Sequence, residues 1–235
     1  MIPGTDPQQL SSPPGRLVGV YPALVTDVQD PDGQGRVQVS LPFVNGTEGP
    51  QAAAWARLAT FMAGADRGSW FIPEVNDEVL VAFLAGDARH PVVIGALWNG
   101  VDAPPETMDA GNNLRSITSR SGHRLLFDDS LAAEKVVLET QGGHRLTLDD
   151  AAGGTVTLRH SNGASVTIDV VGKVTVTAIS EVAINAPAGM TVTAPTLRVN
   201  SAMAEFTGVV RTGVLITGSV VCPSYTPGVG NLLLD

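Results

Sequence analysis

The residues of this sequence whose types and spacing could do chemistry are histidines and paired aspartates. His123 and His144 each follow a glycine in a repeated segment. Three copies of either histidine, gathered around an axis, could hold a metal ion, because imidazole is a common ligand of transition metals. Arg124 and Arg145 stand beside the two histidines, and this setting favours solvated turn positions instead. We therefore predict no metal site at these histidines.

The paired aspartates could form a calcium site or an acid–base pair. They are Asp128-Asp129 and Asp149-Asp150. Neighbouring residues of a strand point to opposite faces, so two adjacent carboxylates cannot easily converge on one substrate. Both pairs end predicted strands, where Asp commonly serves turns. His90 and His160 have no partner pattern, and the sequence has no nucleophile elbow, phosphate loop or zinc-protease motif. We predict no catalytic, cofactor-binding or metal-binding residues.

The composition argues against several other classes of protein. The chain has 235 residues, a formal net charge of −9 and a pI near 4.8. A nucleic-acid-binding protein needs a basic face to displace counterions, so the acidic balance disfavours that partner. The single cysteine, Cys222, excludes an intrachain disulfide framework and a CxxC-type zinc site. The most apolar stretch, Val214–Cys222, is too short to span a membrane. The first residues lack the basic start and apolar run of a signal peptide.

Aromatic residues divide the chain into two parts. Most of them precede residue 110, and a compact core takes large rings whereas a thin repetitive stack has no room for them. Trp55, Trp70, Phe71 and Trp98 are therefore predicted to be core or interface rings. Short apolar strands separated by turns predict a small closed barrel in the first part. These strands are Arg16–Val28, Arg36–Leu41, Ala54–Ala59, Glu78–Leu84 and Pro91–Leu97.

The second part of the chain is an internal repeat. Ser121–Asp129 recurs as Gly142–Asp150 and, in degraded form, as Asn162–Val170. After Lys173 the alternation of apolar and small polar residues continues with a shorter period. Strands with only two inward apolar side chains cannot bury a core within one chain. Winding three copies together would cover those side chains and pair the strand edges. The sequence thus predicts an all-β homotrimer, with a barrel followed by an intertwined trimeric β-helix.

Two segments of the first part resemble a known family. Gly19–Pro42 contains a DPDGQGRVQV hairpin at Asp30–Val39, and Trp55–Gly100 contains the run FIPEVNDEVLVAF followed by GDARHPVVIG. Both resemble the phage baseplate assembly protein V family, the central spikes of contractile tails and injection systems that include gpV and VgrG. The resemblance implies an OB-fold barrel and a triple-stranded β-helix. Asn76 stands where the family has glycine, and Asn tolerates a positive φ, so we expect this turn to survive.

The resemblance also implies a function. The family's trimers cap the inner tube of a contractile particle and pierce the target envelope on contraction, and we expect this structural, non-enzymatic role here. The alternative is an OB-fold carbohydrate-binding or cell-wall-degrading tail component. The implied partners are two further copies, a baseplate hub protein at the barrel end and a PAAR-type tip protein at the other end, with transient contact to the target membrane. We expect synthesis in the bacterial cytoplasm and a location in a tail baseplate or contractile particle.

These expectations divide the chain into five segments: an N-terminal arm at 1–14, the OB fold at 15–100, a linker at 101–113, the β-helix shaft at 114–222 and a tip at 223–235. The tip is apolar and ends a rod, so it is predicted either to fold back along the shaft or to bind a tip protein. Cys222 is predicted to lie near the three-fold axis as a small buried thiol. The predicted partner-binding residues are Cys222, Tyr225, Leu232, Leu233 and Leu234.

Overall fold

The computed structural model describes residues 16–41 and 52–221. Within these ranges the chain is almost entirely β, and its only helices are two short 3-10 turns, Leu84–Gly86 and Ala151–Gly153. None of the helices in the described ranges has the length and apolar character needed to cross a membrane. The all-β expectation is confirmed.

The first part of the chain forms the predicted closed barrel. Its strands are β1 (Val20–Asp27), β2 (Val37–Leu41), β3 (Ala52–Leu58), β6 (Glu78–Phe83) and β7 (Pro91–Ala96), and a small hairpin of β4 (Ala63–Gly64) and β5 (Arg67–Gly68) stands between β3 and β6. The barrel closes in the order β1-β2-β3-β7-β6. Neighbouring strands are antiparallel except β3 and β7, which are parallel.

Alternate residues of the barrel strands fill its interior. Val37, Val39 and Leu41 of β2 point inward with Val79 and Val81 of β6, and all five are buried. This period of two is the pattern from which the barrel was predicted. The buried cluster is completed by Ala23, Val25, Ala56, Phe83 and Val93.

Two turns of the barrel depend on particular residues. The Asp30 carboxylate accepts hydrogen bonds from the backbone N–H groups of Asp32, Gln34 and Arg36. It also lies 2.6 Å from Nη2 of Arg36, and this guanidinium above all holds the pKa of Asp30 well below its ordinary value. Asn76 has a φ of 79°, so the turn survives as predicted with Asn in place of the family's glycine.

The second part begins as a seven-stranded antiparallel meander. Its strands are β8 (Leu114–Thr118), β9 (Arg124–Asp128), β10 (Lys135–Glu139), β11 (Arg145–Asp149), β12 (Thr155–Arg159), β13 (Ser165–Ile168) and β14 (Val174–Thr177). They are hydrogen-bonded in chain order. The repeated segments Ser121–Asp129 and Gly142–Asp150 each supply a turn and the strand that follows it, so each repeat adds a strand to the same sheet.

Strand pairing within the chain ends at β14. The described residues after Thr177 contain no assigned strand, and among them the only backbone–backbone hydrogen bond is from Gly189 N–H to the Ala186 carbonyl. The residues up to Glu181 belong to one compact unit and those from Val182 to a second. The alternation predicted to form strands beyond Lys173 therefore finds partners within this chain only as far as Thr177.

Candidate functional site

The register of the meander places its apolar side chains on one face. Alternate residues of a strand share a face, and residues paired across strands share it too. Two rows of side chains result, and together we call them the apolar face. One row is Ile117, Leu125, Leu138, Leu146, Leu158, Val166 and Val176, and the other is Arg115, Phe127, Val136, Leu148, Val156, Ile168 and Val174.

The chain itself leaves this face largely uncovered. Leu138 is 53% exposed and Leu158 is 55% exposed. Burial of the exposed half of such a side chain is worth about 1 kcal/mol. Over the thirteen apolar residues the gain is on the order of 10 kcal/mol per chain, which matches the whole stability of a typical domain. A surface of this kind marks an assembly interface.

The opposite face of the sheet is mostly polar. The residues between the two apolar rows are Ser116, Leu126, Val137, Thr147, Thr157, Thr167 and Thr175. Ion pairs flank them, with Arg145 Nη2 2.7 Å from Glu139 Oε2 and Lys135 Nζ 3.2 Å from Asp128 Oδ2. A threonine-rich face is suited to solvent, so the two faces of the sheet have different roles.

The segment that joins the barrel to the sheet is held on this polar face by Glu106. Its Oε1 accepts hydrogen bonds from Ser116 Oγ at 2.7 Å and from Arg124 Nη2 at 2.6 Å. The hydroxyl of Ser116 first, and then Arg124, lower the pKa of the Glu106 carboxyl below its ordinary value. A second connection joins Arg120 of the first meander turn to Glu74 of the barrel, with 2.9 Å between Nη1 and Oε2.

The paired aspartates serve turns, which is the role predicted from the sequence. Asp128 Oδ1 accepts a hydrogen bond from Ser130 N–H at 3.0 Å. Hydrogen bonds from Ser130, and then Lys135, hold the pKa of Asp128 below its ordinary value. Asp129 points elsewhere and lies 2.6 Å from Nη1 of Arg115. Asp149 repeats the arrangement, since its Oδ1 accepts a hydrogen bond from Ala151 N–H at 2.9 Å.

The histidines of the meander connect successive turns. His123 Nδ1 accepts a hydrogen bond from Gln141 N–H, and His144 Nδ1 accepts one from Ser161 N–H, both at 3.3 Å. The rings of His144 and His160 lie with their centroids 4.2 Å apart. The interpretation that His160 lacks a partner is therefore wrong. The repeat contained the signal, because these histidines occupy turns on the same edge of the sheet.

The other candidates do not assemble into a chemical centre. Among the described residues, no three His, Cys, Asp or Glu side chains gather as metal ligands would. His90 was also thought to lack a partner, but its Nδ1 lies 3.3 Å from Asp87 Oδ2. The site that the geometry defines is the apolar face.

Comparisons with known proteins match both parts of the chain. The barrel matches the model of the type VI secretion system/phage-baseplate injector OB domain over residues 21–98. Residues 135–205 match the phage baseplate V C-terminal trimerisation domain, which includes β10–β14. Together the two matches cover more than half of the chain. The chain belongs to the phage baseplate V family.

Curated relatives carry VgrG names. The chain is 29% identical over 133 residues to the actin cross-linking toxin VgrG1 of Vibrio cholerae, a match that covers 50% of this chain and 12% of that protein. It is 28% identical over 117 residues to the type VI secretion system spike protein VgrG3 of the same species, covering 47% and 11%. With the spike protein VgrG2a of Pseudomonas aeruginosa the identity is 31% over 118 residues, covering 48% and 14%. The chain thus spans less than a fifth of the length of these relatives.

The aromatic rings of the barrel differ from the expectation that they pack in its core. Trp70, Phe71 and Trp98 are exposed in the single chain, so the core alternative is wrong for them and the interface alternative stays a prediction. Trp55 is partly buried, and the Arg36 guanidinium lies over its ring, 5.8 Å from the ring centroid.

The predicted tip contacts lie outside the described residues. Cys222, Tyr225, Leu232, Leu233 and Leu234 belong to this segment, as does the whole tip at 223–235. The N-terminal arm at 1–14 also lies outside the described residues. The partner-binding assignment of these five residues stays a prediction.

Proposed function

We propose that this chain is a structural central spike, a homotrimer that caps the inner tube of a contractile particle and pierces the target envelope. The observation that carries the proposal is the apolar face, which one chain leaves uncovered and which lies largely within the match to a trimerisation domain. Three sheets whose apolar faces meet around an axis form a closed prism, and each copy then gains the burial that a single chain lacks.

The residues beyond Thr177 support association of more than one chain. They continue the alternation of apolar and small polar side chains, as in Val182/Ile184 and Val192, yet the described part of this segment has almost no backbone pairing within the chain. Unpaired backbone groups are costly to bury. In the proposed trimer these residues pair with the neighbouring copies, and the result is the intertwined β-helix.

The connections between barrel and sheet suit a part that transmits force. The Glu106–Arg124 and Arg120–Glu74 ion pairs join the barrel and its linker to the first strands of the sheet. Dense strand pairing below them gives many hydrogen bonds that must break together before the shaft unfolds. We propose a mechanical rather than an enzymatic role on this basis.

The proposed partners follow from the two ends of the chain. The match of the barrel to an injector OB domain supports a contact with a baseplate hub protein at that end. The apolar residues Leu232, Leu233 and Leu234 support a PAAR-type tip protein at the other end. Deletion of residues 1–100 is expected to abolish incorporation into particles, as measured by immunoblots of purified particles. Normal incorporation would contradict the hub assignment.

The test of the spike function compares two faces of the same strand. In cells that make contractile particles and lack this chain, Leu158→Asp on the apolar face is expected to give particles without the spike and no killing of target cells. The matched control, Thr157→Asp, introduces the same charge one residue away on the polar face and is expected to retain both. Full activity of Leu158→Asp, with the chain present in particles, would contradict the proposal.

A further inference from the structure

The barrel carries a large open groove beside the ends of β3 and β7. Its volume is about 1050 Å³, and its lining comes from the β1–β2 turn, the β4–β5 hairpin and residues of β3 and β7. Apolar side chains dominate its rim and walls. They are Phe61, Met62, Trp70, Phe71 and Ile94, and all five are exposed in the single chain.

The rim of this groove is fixed rather than loose. A Cβ atom on Gly35 would lie 3.2 Å from the Trp70 ring, so the indole edge lies directly against the β1–β2 turn. That turn is held by the Asp30–Arg36 ion pair. The base of the hairpin is tied by a hydrogen bond from Thr60 Oγ1 to the Ser69 carbonyl at 2.9 Å. Exposed rings held in one position are preorganised to bind, because little side-chain freedom is lost on contact.

The groove lies close to the apolar face in the chain's covalent and ionic connections. Phe71 precedes Glu74 by three residues, and Ile117 of the apolar face precedes Arg120 by three. Each of these steps spans at most about 3.5 Å. The Arg120–Glu74 ion pair joins the two segments. Association of the apolar faces therefore brings the grooves of neighbouring copies near one another.

The size of the aromatic surface decides between a tethered and a free partner. Phe61, Trp70 and Phe71 present about 500 Å² of ring surface, on the basis of about 150–250 Å² per ring. A free partner needs about 800 Å² on each side for a stable interface. A partner already tethered by another contact needs less, because its effective concentration reaches about the millimolar range. In the proposed trimer, the other copies of this chain meet that condition.

We propose that the groove is filled by a neighbouring copy of the barrel, so that the barrels contact one another directly above the joined sheets. This inference rests on the proposed trimer. It assigns Phe61, Trp70 and Phe71 to contacts between copies rather than to a separate protein, and it makes the barrel ring a second, weaker interface of the same assembly.

The first experiment measures the accessibility of Trp70 in the full-length chain. Trp55→Phe with Trp98→Phe leaves Trp70 as the only indole, and circular dichroism checks that the variant folds. We expect loss of most acrylamide quenching in the native protein, with a blue-shifted emission, relative to the same variant unfolded in guanidinium. Native quenching equal to that of the unfolded chain would overturn the inference and leave the groove to a different partner.

A second variant tests the same contact without altering tryptophan. Phe61→Cys in a Cys222→Ser background places one thiol on the groove, and Leu131→Cys in that background places one on an exposed apolar residue outside it. We expect slow labelling at residue 61 and rapid labelling at residue 131, and equal rates would overturn the inference. Light scattering on these samples separates the two claims. A trimer with an accessible residue 61 refutes the groove contact alone, whereas a folded monomer refutes both the contact and the proposed spike.

Discussion

Leu138 separates the behaviour of one chain from that of the assembly. In the single chain its side chain is 53% exposed on the apolar face. Its half-buried contacts within the sheet account for a loss of about 1 kcal/mol on substitution by alanine. If three sheets cover it, the loss becomes that of a fully buried leucine, about 2–5 kcal/mol per chain. Each trimer contains three such sites, so the effect on trimer stability is about three times larger.

The assay is guanidinium unfolding of wild type and Leu138→Ala at several protein concentrations, with light scattering to follow the mass. We expect Leu138→Ala to lower the midpoint strongly and to make it more dependent on concentration, because dissociation is coupled to unfolding. Leu131→Ala is the matched control, since Leu131 is 92% exposed and lies outside the sheet strands. Its loss should stay within about 0.5 kcal/mol. A loss of only about 1 kcal/mol for Leu138→Ala would refute the reasoning.

Three further predictions concern the barrel and the linker. The lowered pKa of Asp30 means that its ion pair stabilises the fold above the ordinary carboxyl pKa of about 4 and that this contribution is lost as the pH falls below it. Asp30→Asn should therefore be less stable than wild type at pH 7 and show less loss on acidification, as measured by thermal melts across pH; parallel curves would contradict this. Asn76→Gly should be neutral and Asn76→Val should cost roughly 1–2 kcal/mol, because Asn76 has a positive φ; equal denaturation midpoints for the two would contradict the turn assignment. Glu106→Ala should speed proteolytic cleavage between Trp98 and Leu114 by freeing the linker from Arg124, and an unchanged cleavage rate would show that this contact does not hold it.

The alternating patterns predicted the strands well. Glu78–Leu84 and Pro91–Leu97 were predicted within one residue of β6 and β7, because strict alternation around a buried face leaves little freedom of register. The turn at Asn76 was predicted for the same kind of reason, since few residues accept a positive φ. Local rules of this type depend only on neighbouring residues.

Features that depend on distant residues were not visible in the sequence. The β4–β5 hairpin has two-residue strands, which are too short to show a period. The Glu106–Arg124 ion pair joins the linker to a strand, and no local pattern indicates such a pairing. The exposure of Trp70 was missed because a large ring favours burial without stating what buries it. If the groove is filled by another copy, the ring obeys that rule in the trimer.

The central claim is that the fold of this chain is completed by two further copies. Light scattering of the purified full-length protein at micromolar concentration measures this most directly. The account predicts a single species of three times the chain's 24.3 kDa, with no folded monomer even on dilution. A folded, cooperatively melting species of 24.3 kDa under these conditions would contradict it.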